Sequence, residues 1–274
     1  MMTTTLRPTE PLQRAADGAL SRHFQVCVNS RPVGALHLTT DPVFGPSVAV
    51  IDSLHIDAPD RRRGRGTVGA LAAEEVARGW GCARIEIAVP VDGPALRLVT
   101  ALGYLVRNTR MAKDLGPDAS ALPPGTTGRP MTGTEFDTWY ATALRTYART
   151  WTERGVPADQ ADAKSRRDHE GLLPHGNASE NMLLSVLEHR GTPVGTLWLA
   201  LQDEQAYIYD VETAAAYRGH GHGRSLMLLA ETQTLASARR RIGLNVFAGN
   251  TPAERLYDSL GYVPIERSLF KPLL

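Results

Sequence analysis

The chain has 274 residues, 42% hydrophobic and 6% aromatic, with a net charge of +1. The length suggests about two domains of ordinary size, and the near-neutral charge gives no electrostatic case for a nucleic-acid or membrane partner. No window approaches ~18 uncharged apolar residues, and the start, MMTTTLRPTEPLQ, lacks an apolar stretch of signal-peptide type, so a cytosolic protein is expected. Cys27 and Cys82 sit far apart in apolar runs without CxxC spacing, which predicts reduced, buried thiols rather than a disulfide framework.

In chain order, the pattern predicts a short strand over Thr3–Pro8 and a brief helical piece around Leu12–His23. A hairpin follows, Phe24–Val28 and Val33–Thr39 around a turn at Asn29–Arg31. The strand Val48–Ile56 leads into a glycine motif, a helix over Val68–Ala77, a strand over Arg84–Val89 and a helix over Ala95–Ala101. The stretch LGPDASALPPGTT, from Leu115, has the Pro, Gly and Ser content of an exposed connector. The same order then returns: a strand at Gly128–Met131, a hairpin of Met182–Glu188 and Val194–Leu201, a strand at Ala206–Val211, and a helix over Ser225–Ala236. The expected division is a first domain at 1–115, a connector at 116–127 and a second domain at 128–274.

Two phrases mark the repeat. Arg61–Gly66 reads RRRGRG and Arg218–Gly223 reads RGHGHG, so both fit Arg-x-x-Gly-x-Gly, 157 positions apart (218 − 61). Leu102-Gly103-Tyr104 and Leu260-Gly261-Tyr262 follow the two copies, and Val33-Gly34-x-Leu36 and Val194-Gly195-x-Leu197 precede them. The period is far longer than the ~20–50 residues of a solenoid unit and indicates two copies of a whole domain. The second copy carries a long insertion, Thr132 to Asn181, where the first has a short one. Within it Phe136, Tyr140, Leu144 and Tyr147 recur at helical spacing, and Leu173-Pro174-His175-Gly176 reads as a turn. If a substrate is held there, only the second copy has a full set of walls.

A strand, a glycine turn and a helix N-terminus together make an anion site. Glycine lets the backbone approach a phosphate, unpaired N–H groups point at it, and the helix dipole adds about half a positive charge. Gly64, Gly66 and Gly69 also match G-x-G-x-x-G, which would suggest a Rossmann fold. The second copy rejects that reading, because Leu226 stands where Gly69 does while Arg-x-x-Gly-x-Gly survives. No P-loop motif is present, and no His, Cys, Asp or Glu cluster has metal-ligand spacing.

With the second glycine turn followed by a strand and then Asn250, Ala253, Leu256, Tyr257, Gly261 and Tyr262 in the order Asn-x-x-Ala-x-x-Leu-Tyr-x-x-x-Gly-Tyr, the chain resembles the GNAT acetyltransferases. The likeness runs along nearly all of Arg129–Leu273 and, less completely, along Leu6–Leu115. The tandem arrangement resembles that of mycothiol synthases and other actinobacterial proteins. The resemblance implies an α/β fold of two tandem domains, each a twisted mixed sheet flanked by helices. It also implies acetyl-CoA as cosubstrate, without a metal, and a small-molecule or peptide amine as acceptor. Its cofactor site maps onto Arg218, Gly219, His220, Gly221, His222, Gly223 and Arg224, with Val211 and Thr213 on the preceding strand and Asn250 before the last helix. In the first copy the matching turn is Arg61, Arg62, Arg63, Gly64, Arg65 and Gly66.

Acetyl transfer to an amine requires loss of the amine proton, since an alkyl amine of pKa near ~10 is mostly protonated at neutral pH. It also requires a donor for the oxyanion, in this family a backbone N–H on the strand before the turn, and a proton for the leaving thiolate. The family's acid position is Tyr257. For the base, strand alternation places Asp210 and Glu212 on one face, and carboxylates inside an apolar strand need work or partners. Glu212 is favoured, with Asp210 second; Asn245, where some relatives carry a glutamate, is a poor base. In the first copy Val99 replaces Tyr257, Asp92 replaces Asn250 and His55 replaces Glu212, so that domain is expected to be degenerate, kept for structure or CoA binding. The expected activity is amine acetylation by the second domain. The competing reading is a non-catalytic acyl-CoA-binding or scaffold protein.

Overall fold

The computed structural model describes residues 4–42, 44–118 and 120–273. Thr3 of the expected first strand and Ala119 of the expected connector lie outside them. The elements in order are β1 (Thr4–Pro8), β2 (Gln13–Arg14), β3 (Leu20–Val28), β4 (Arg31–Asp41), β5 (Gly45–Ile56), α1 (Arg65–Gly79), β6 (Arg84–Pro90), α2 (Pro94–Ala101) and β7 (Leu105–Asp114). They continue as β8 (Thr126–Pro130), α3 (Gly133–Thr152), α4 (Ala158–Leu172), β9 (Met182–His189), β10 (Thr192–Leu201), β11 (Ala206–Thr213), α5 (His222–Ala236), β12 (Arg241–Phe247), α6 (Thr251–Ser259) and β13 (Val263–Pro272). The fold is mixed α/β, and the chain divides into two compact units, Met1–Thr109 with Ile265–Leu274, and Arg110–Pro264.

In the first unit the strand order is β1-β3-β4-β5-β6-β13-β7, with β2 on β3. β5 and β6 run parallel, β13 runs antiparallel to β6, and β1, β3, β4 and β5 are successively antiparallel. The helix expected around Leu12–His23 does not form. Gly18 takes a φ of 84° and Asp17 Oδ1 accepts the Ala19 N–H, so a tight turn folds β2 back onto β3 instead. Apolar residues on alternate strand positions, including Leu36, Leu38 and Ile51, bury with Ala73, Ala77 and Val99 from the helices.

In the second unit the order is β7-β12-β11-β10-β9-β8, with β11 and β12 parallel and β8, β9, β10 and β11 successively antiparallel. One face of this sheet buries Leu197, Leu199, Leu226, Met227 and Tyr262. A separate cluster of Met131, Phe136, Trp139, Leu184, Val186 and Trp198 includes α3 residues. Of the spacing read from the insertion, Phe136 is buried and Tyr140, Leu144 and Tyr147 are partly buried, while the buried face of α3 is Phe136, Trp139, Ala148 and Trp151. Its start is fixed by a capping box, in which Thr132 accepts the Glu135 N–H and Glu135 accepts the Thr132 N–H.

The expected boundaries follow the sequence repeat, but compactness divides the chain differently. The strand ending the first repeat contributes its residues from Arg110 to the second unit, and the strand ending the second repeat contributes Ile265 onward to the first. Charge explains part of this. In the first unit Lys271 on β13 lies 2.8 Å from the buried Glu74 carboxylate and 5.7 Å over the Tyr104 ring. In the second, Lys113 on β7 lies 2.8 Å from the buried Glu231 and 5.6 Å over the Tyr262 ring. Each Leu-Gly-Tyr tyrosine thus packs beside a buried Glu–Lys pair whose lysine comes from the other repeat. Leu115, at the start of the expected connector, is buried and donates its N–H to the Arg240 carbonyl.

Candidate functional site

In the second unit β11 and β12 pair only over Ala206–Ile208 with Ile242–Leu244. The β10–β11 register then skips Tyr209, with Trp198 opposite Asp210 and Leu199 opposite Ile208. Such a bulge bends its strand, and β11 continues to Thr213 without a further β12 partner in register, opening a wedge. At its mouth Gly219 and Gly221 adopt left-handed φ values of 82° and 83°. Gly221 is the N-cap of α5 and no side chain caps that helix, so its first-turn N–H groups are available to an anion. A Cβ built on either glycine would meet no atom within 4 Å. The first unit repeats the turn, with Arg62 at φ 57° and Gly64 at φ 73°, and β5 leaves β6 after Ile51.

The remaining residues of the expected cofactor site divide by environment. Gly223 and Gly66 serve helix packing, since a Cβ there would come within 3.3 Å of Leu256 and 3.1 Å of Leu98. Arg218 turns back to the Thr213 carbonyl at 3.2 Å and to Glu212 at 3.3 Å, as Arg61 turns back to the Ile56 carbonyl at 2.7 Å. Arg65 corrects its expected phosphate role: it is buried in an ion pair with Asp60, which Arg31 also holds. His222 is likewise buried, and burial pushes its pKa down. Arg224 is exposed and donates to Ser259 on α6, while Asn250 caps α6 by accepting the Ala253 N–H. Val211 and Thr213 are partly buried on β11; His220, Arg62 and Arg63 are exposed.

The two candidate carboxylates occupy different surroundings. Glu212 is exposed and paired with Arg218. Asp210 is partly buried, and its carboxyl accepts the Trp139 indole N–H at 3.3 Å. Burial pushes the Asp210 pKa up to about 6, the Glu212 charge adds to the rise, and hydrogen bonds from Trp139 and the Val211 N–H oppose it. Tyr257 is buried on α6, and burial together with the Asp210 charge pushes its pKa up to about 12. The Asp210 charge is thus felt at the phenol. In the first unit Val99, the counterpart of Tyr257, is buried in the core, and the counterpart His55 lies exposed beside Asp57.

Helices α3 and α4 form an aromatic wall. Trp139 meets Trp198 edge-on at 5.5 Å, Trp151 meets Phe247 edge-on at 5.5 Å, and Arg154 stacks over Phe247 at 4.2 Å. His169 on α4 packs against Tyr140, Tyr147 and Trp198, donates its Nδ1–H to the Ser165 carbonyl at 2.8 Å, and has its pKa pushed down by burial. The α4 residues escaped the sequence reading. Buried Ala161, Ser165 and His169 recur every four residues, a stripe too small and polar to stand out as an apolar face. A groove of about 440 Å³ includes Thr134, Thr138, Trp139 and Thr142 of α3, Gly195 and Thr196 of β10, and Glu212. Among the described residues no group of three or more His, Cys, Asp or Glu could hold a metal, and no helix is long and apolar enough to cross a membrane.

The sequence model of the acetyltransferase (GNAT) family matches residues 3–104 and 136–262. Mycothiol acetyltransferase of Beutenbergia cavernae is 28% identical over 92% of this chain and 89% of its own length. The uncharacterized N-acetyltransferase YdgE of Bacillus subtilis is 28% identical over 48% of this chain and 88% of its own. Among solved structures, a tandem GNAT protein from the clavulanic acid biosynthesis pathway matches with a TM-score of 0.53 and 19% identity, over 95% of this chain and 85% of that one. A GCN5-related N-acetyltransferase from Sphaerobacter thermophilus matches with a TM-score of 0.61 and 20% identity, over 92% and 80%. These structural likenesses establish the fold, two GNAT-type repeats in tandem.

Proposed function

The chain belongs to the GNAT acetyltransferase family, and from that premise we propose that its second unit acetylates the primary amine of a small molecule or peptide from acetyl-CoA. In amine acetylation the first unit serves structure or cofactor binding. The second site fits the cosubstrate on its own geometry: uncapped N–H groups at α5, open space beside Gly219 and Gly221, and a wedge between β11 and β12. The turn from Arg218 to Gly223 would hold the phosphates, with Arg224 at the rim, and Val211 and Thr213 would line the wedge. Bound there, acetyl-CoA supplies an activated thioester carbonyl.

We assign the base to Asp210 rather than Glu212. A carboxylate of pKa about 6 is ionised at neutral pH yet far more basic than an ordinary aspartate. Its charge also draws a cationic amine into the site before taking its proton. Tyr257 keeps its proton across the neutral range and holds it for the departing thiolate. Glu212, in the groove wall beside α3, positions the acceptor. The α3–α4 wall excludes water, which strengthens both charge interactions.

The observation that carries this reading is the placement of Asp210, held by the Trp139 indole N–H, next to the bulge where β11 leaves β12. Acetyl-CoA turnover against a panel of primary amines tests it. Acetylated product from at least one amine is expected, lost in Asp210→Asn and in Tyr257→Phe. Full activity in both variants would remove the assignment, and tight acetyl-CoA binding without turnover on any amine would favour the non-catalytic reading.

A further inference from the structure

The first unit carries an ordered polar chain on the sheet face that bears Trp198 in the second. Ser21 Oγ lies 2.8 Å from His37 Nε2, and His37 Nδ1 lies 3.0 Å from Asp52 Oδ2. His37 stands three residues after Gly34, as Trp198 stands three after Gly195. Asp52 is the bulge residue of β5, with His37 opposite Ser53 and Leu38 opposite Ile51, and it follows the last residue paired to β6. The chain of groups therefore begins where the first unit's own wedge opens.

Hydrogen-bond logic fixes the roles. An ionised Asp52 can only accept, so Nδ1 of a neutral His37 carries the proton, Nε2 is left as acceptor, and Ser21 must donate to it. That is the arrangement of a nucleophilic serine with its base and the base's orienting carboxylate. The His37 ring is held by the His23 ring, stacked at 3.9 Å with planes 8° apart. Gln13 lies directly opposite Ser21 on β2 and so shares its face. Its amide gives one N–H to Glu10 and has a second to offer an oxyanion. His37 is only partly buried and Asp52 is exposed, so a substrate can reach the group.

The geometry points to a second catalytic centre in the first unit, with Ser21 as nucleophile, His37 as general base and Asp52 as its positioning residue, cleaving acyl esters or thioesters. Ser21 Oγ bonds to the acyl carbon as His37 Nε2 takes its proton, and the C–O or C–S bond breaks as the leaving group receives that proton. Water then attacks the acyl-serine by the same route, releasing a carboxylic acid and restoring Ser21. This centre uses none of the residues assigned to amine acetylation, so either reading can fail alone.

The full-length protein is treated with a fluorophosphonate probe, and the adduct is mapped by peptide mass spectrometry. A single adduct on Ser21 is expected, and absence of any adduct there overturns the proposal without any variant having to fold. Hydrolysis is then followed without amine, using p-nitrophenyl acetate and acetyl-CoA in separate arms. Cleavage dependent on Ser21 in the first arm alone marks an oxygen-ester hydrolase, and in the second arm a thioesterase. Ser21→Ala and His37→Gln, checked for an unchanged melting transition, are expected to lower that rate by ~10²-fold or more. Hydrolysis at the wild-type rate in Ser21→Ala sinks the proposal.

Discussion

The two units share a glycine turn, a bulged strand and a wedge, and part company on one sheet face. In the second unit Trp198 lies beneath Trp139, and α3 and α4 bring an aromatic wall over Asp210. In the first unit the same face shows His37, Ser21 and an exposed Asp52, and the residue matching Tyr257 is the buried Val99. The turn itself barely differs, with Gly64 and Gly221 both left-handed N-caps. The comparison teaches that the turn's backbone conformation tolerates varied side chains, whereas the surroundings of the neighbouring carboxylates depend on what covers that sheet face. Burial beneath the wall raises the Asp210 pKa to about 6.

The sharpest way to break the comparison is Asp210→Asn. Turnover on the true acceptor should fall by ~10²–10⁴-fold, and the wild-type rate should rise with pH through about pH 6, following Asp210 deprotonation. Stability should move the other way. The folded Asp210 pKa lies above its unfolded value of ~3.9, so the folded protein holds a proton that the unfolded chain has lost. Stability therefore falls as pH rises from ~4 to about 6 and stays reduced above it. The variant should be more stable than wild type by about 1–3 kcal/mol at pH 7 and equal to it near pH 4. Urea denaturation at both values decides, and destabilisation at pH 7 would mark Asp210 as a structural residue.

The next effect tests what the units have in common. Lys271→Met takes from the buried Glu74 its nearest cation, leaving Arg78 at 3.9 Å, and Lys113→Met removes the lysine paired with the buried Glu231. Each should cost about 3–5 kcal/mol, with partial recovery when the glutamate is also changed to glutamine. A cost below ~0.5 kcal/mol for both would mean that the pairs do not hold the exchanged strands. Tyr257→Phe, which keeps the ring, should lower turnover by ~10²-fold with little change in the denaturation midpoint. An unchanged rate, with chemistry shown to be limiting, would reduce Tyr257 to a core residue like its counterpart Val99. The smallest effect belongs to Glu212→Gln. It should change stability by no more than ~1 kcal/mol, because its ion pair with Arg218 is exposed, and should raise the acceptor KM more than it lowers kcat. A larger loss in kcat than that of Asp210→Asn would reverse the assignment of the base.

The sequence by itself determined the elements whose signals are local. Alternating strands, the two Arg-x-x-Gly-x-Gly turns, the helical spacing of Phe136, Tyr140, Leu144 and Tyr147 in α3, and the family likeness all follow from residue type and short-range spacing. Where local signals were weak the reading failed: Leu12–His23 looked helical until the Asp17–Gly18 turn and pairing with β3 overrode it, and α4 passed unnoticed. Only the tertiary structure decided which residues of the glycine turn face outward. Arg65 meets Asp60, and Gly66 and Gly223 meet Leu98 and Leu256, through contacts that no turn motif encodes. The exchange of β7 and β13 between repeats depends on partners far apart in the chain, Glu74 with Lys271 and Lys113 with Glu231. The choice between Asp210 and Glu212 was closed to sequence for the same reason. Alternation puts both on one face, but the desolvation that raises the Asp210 pKa exists only once α3 has folded over the sheet, while Glu212 stays exposed beside Arg218.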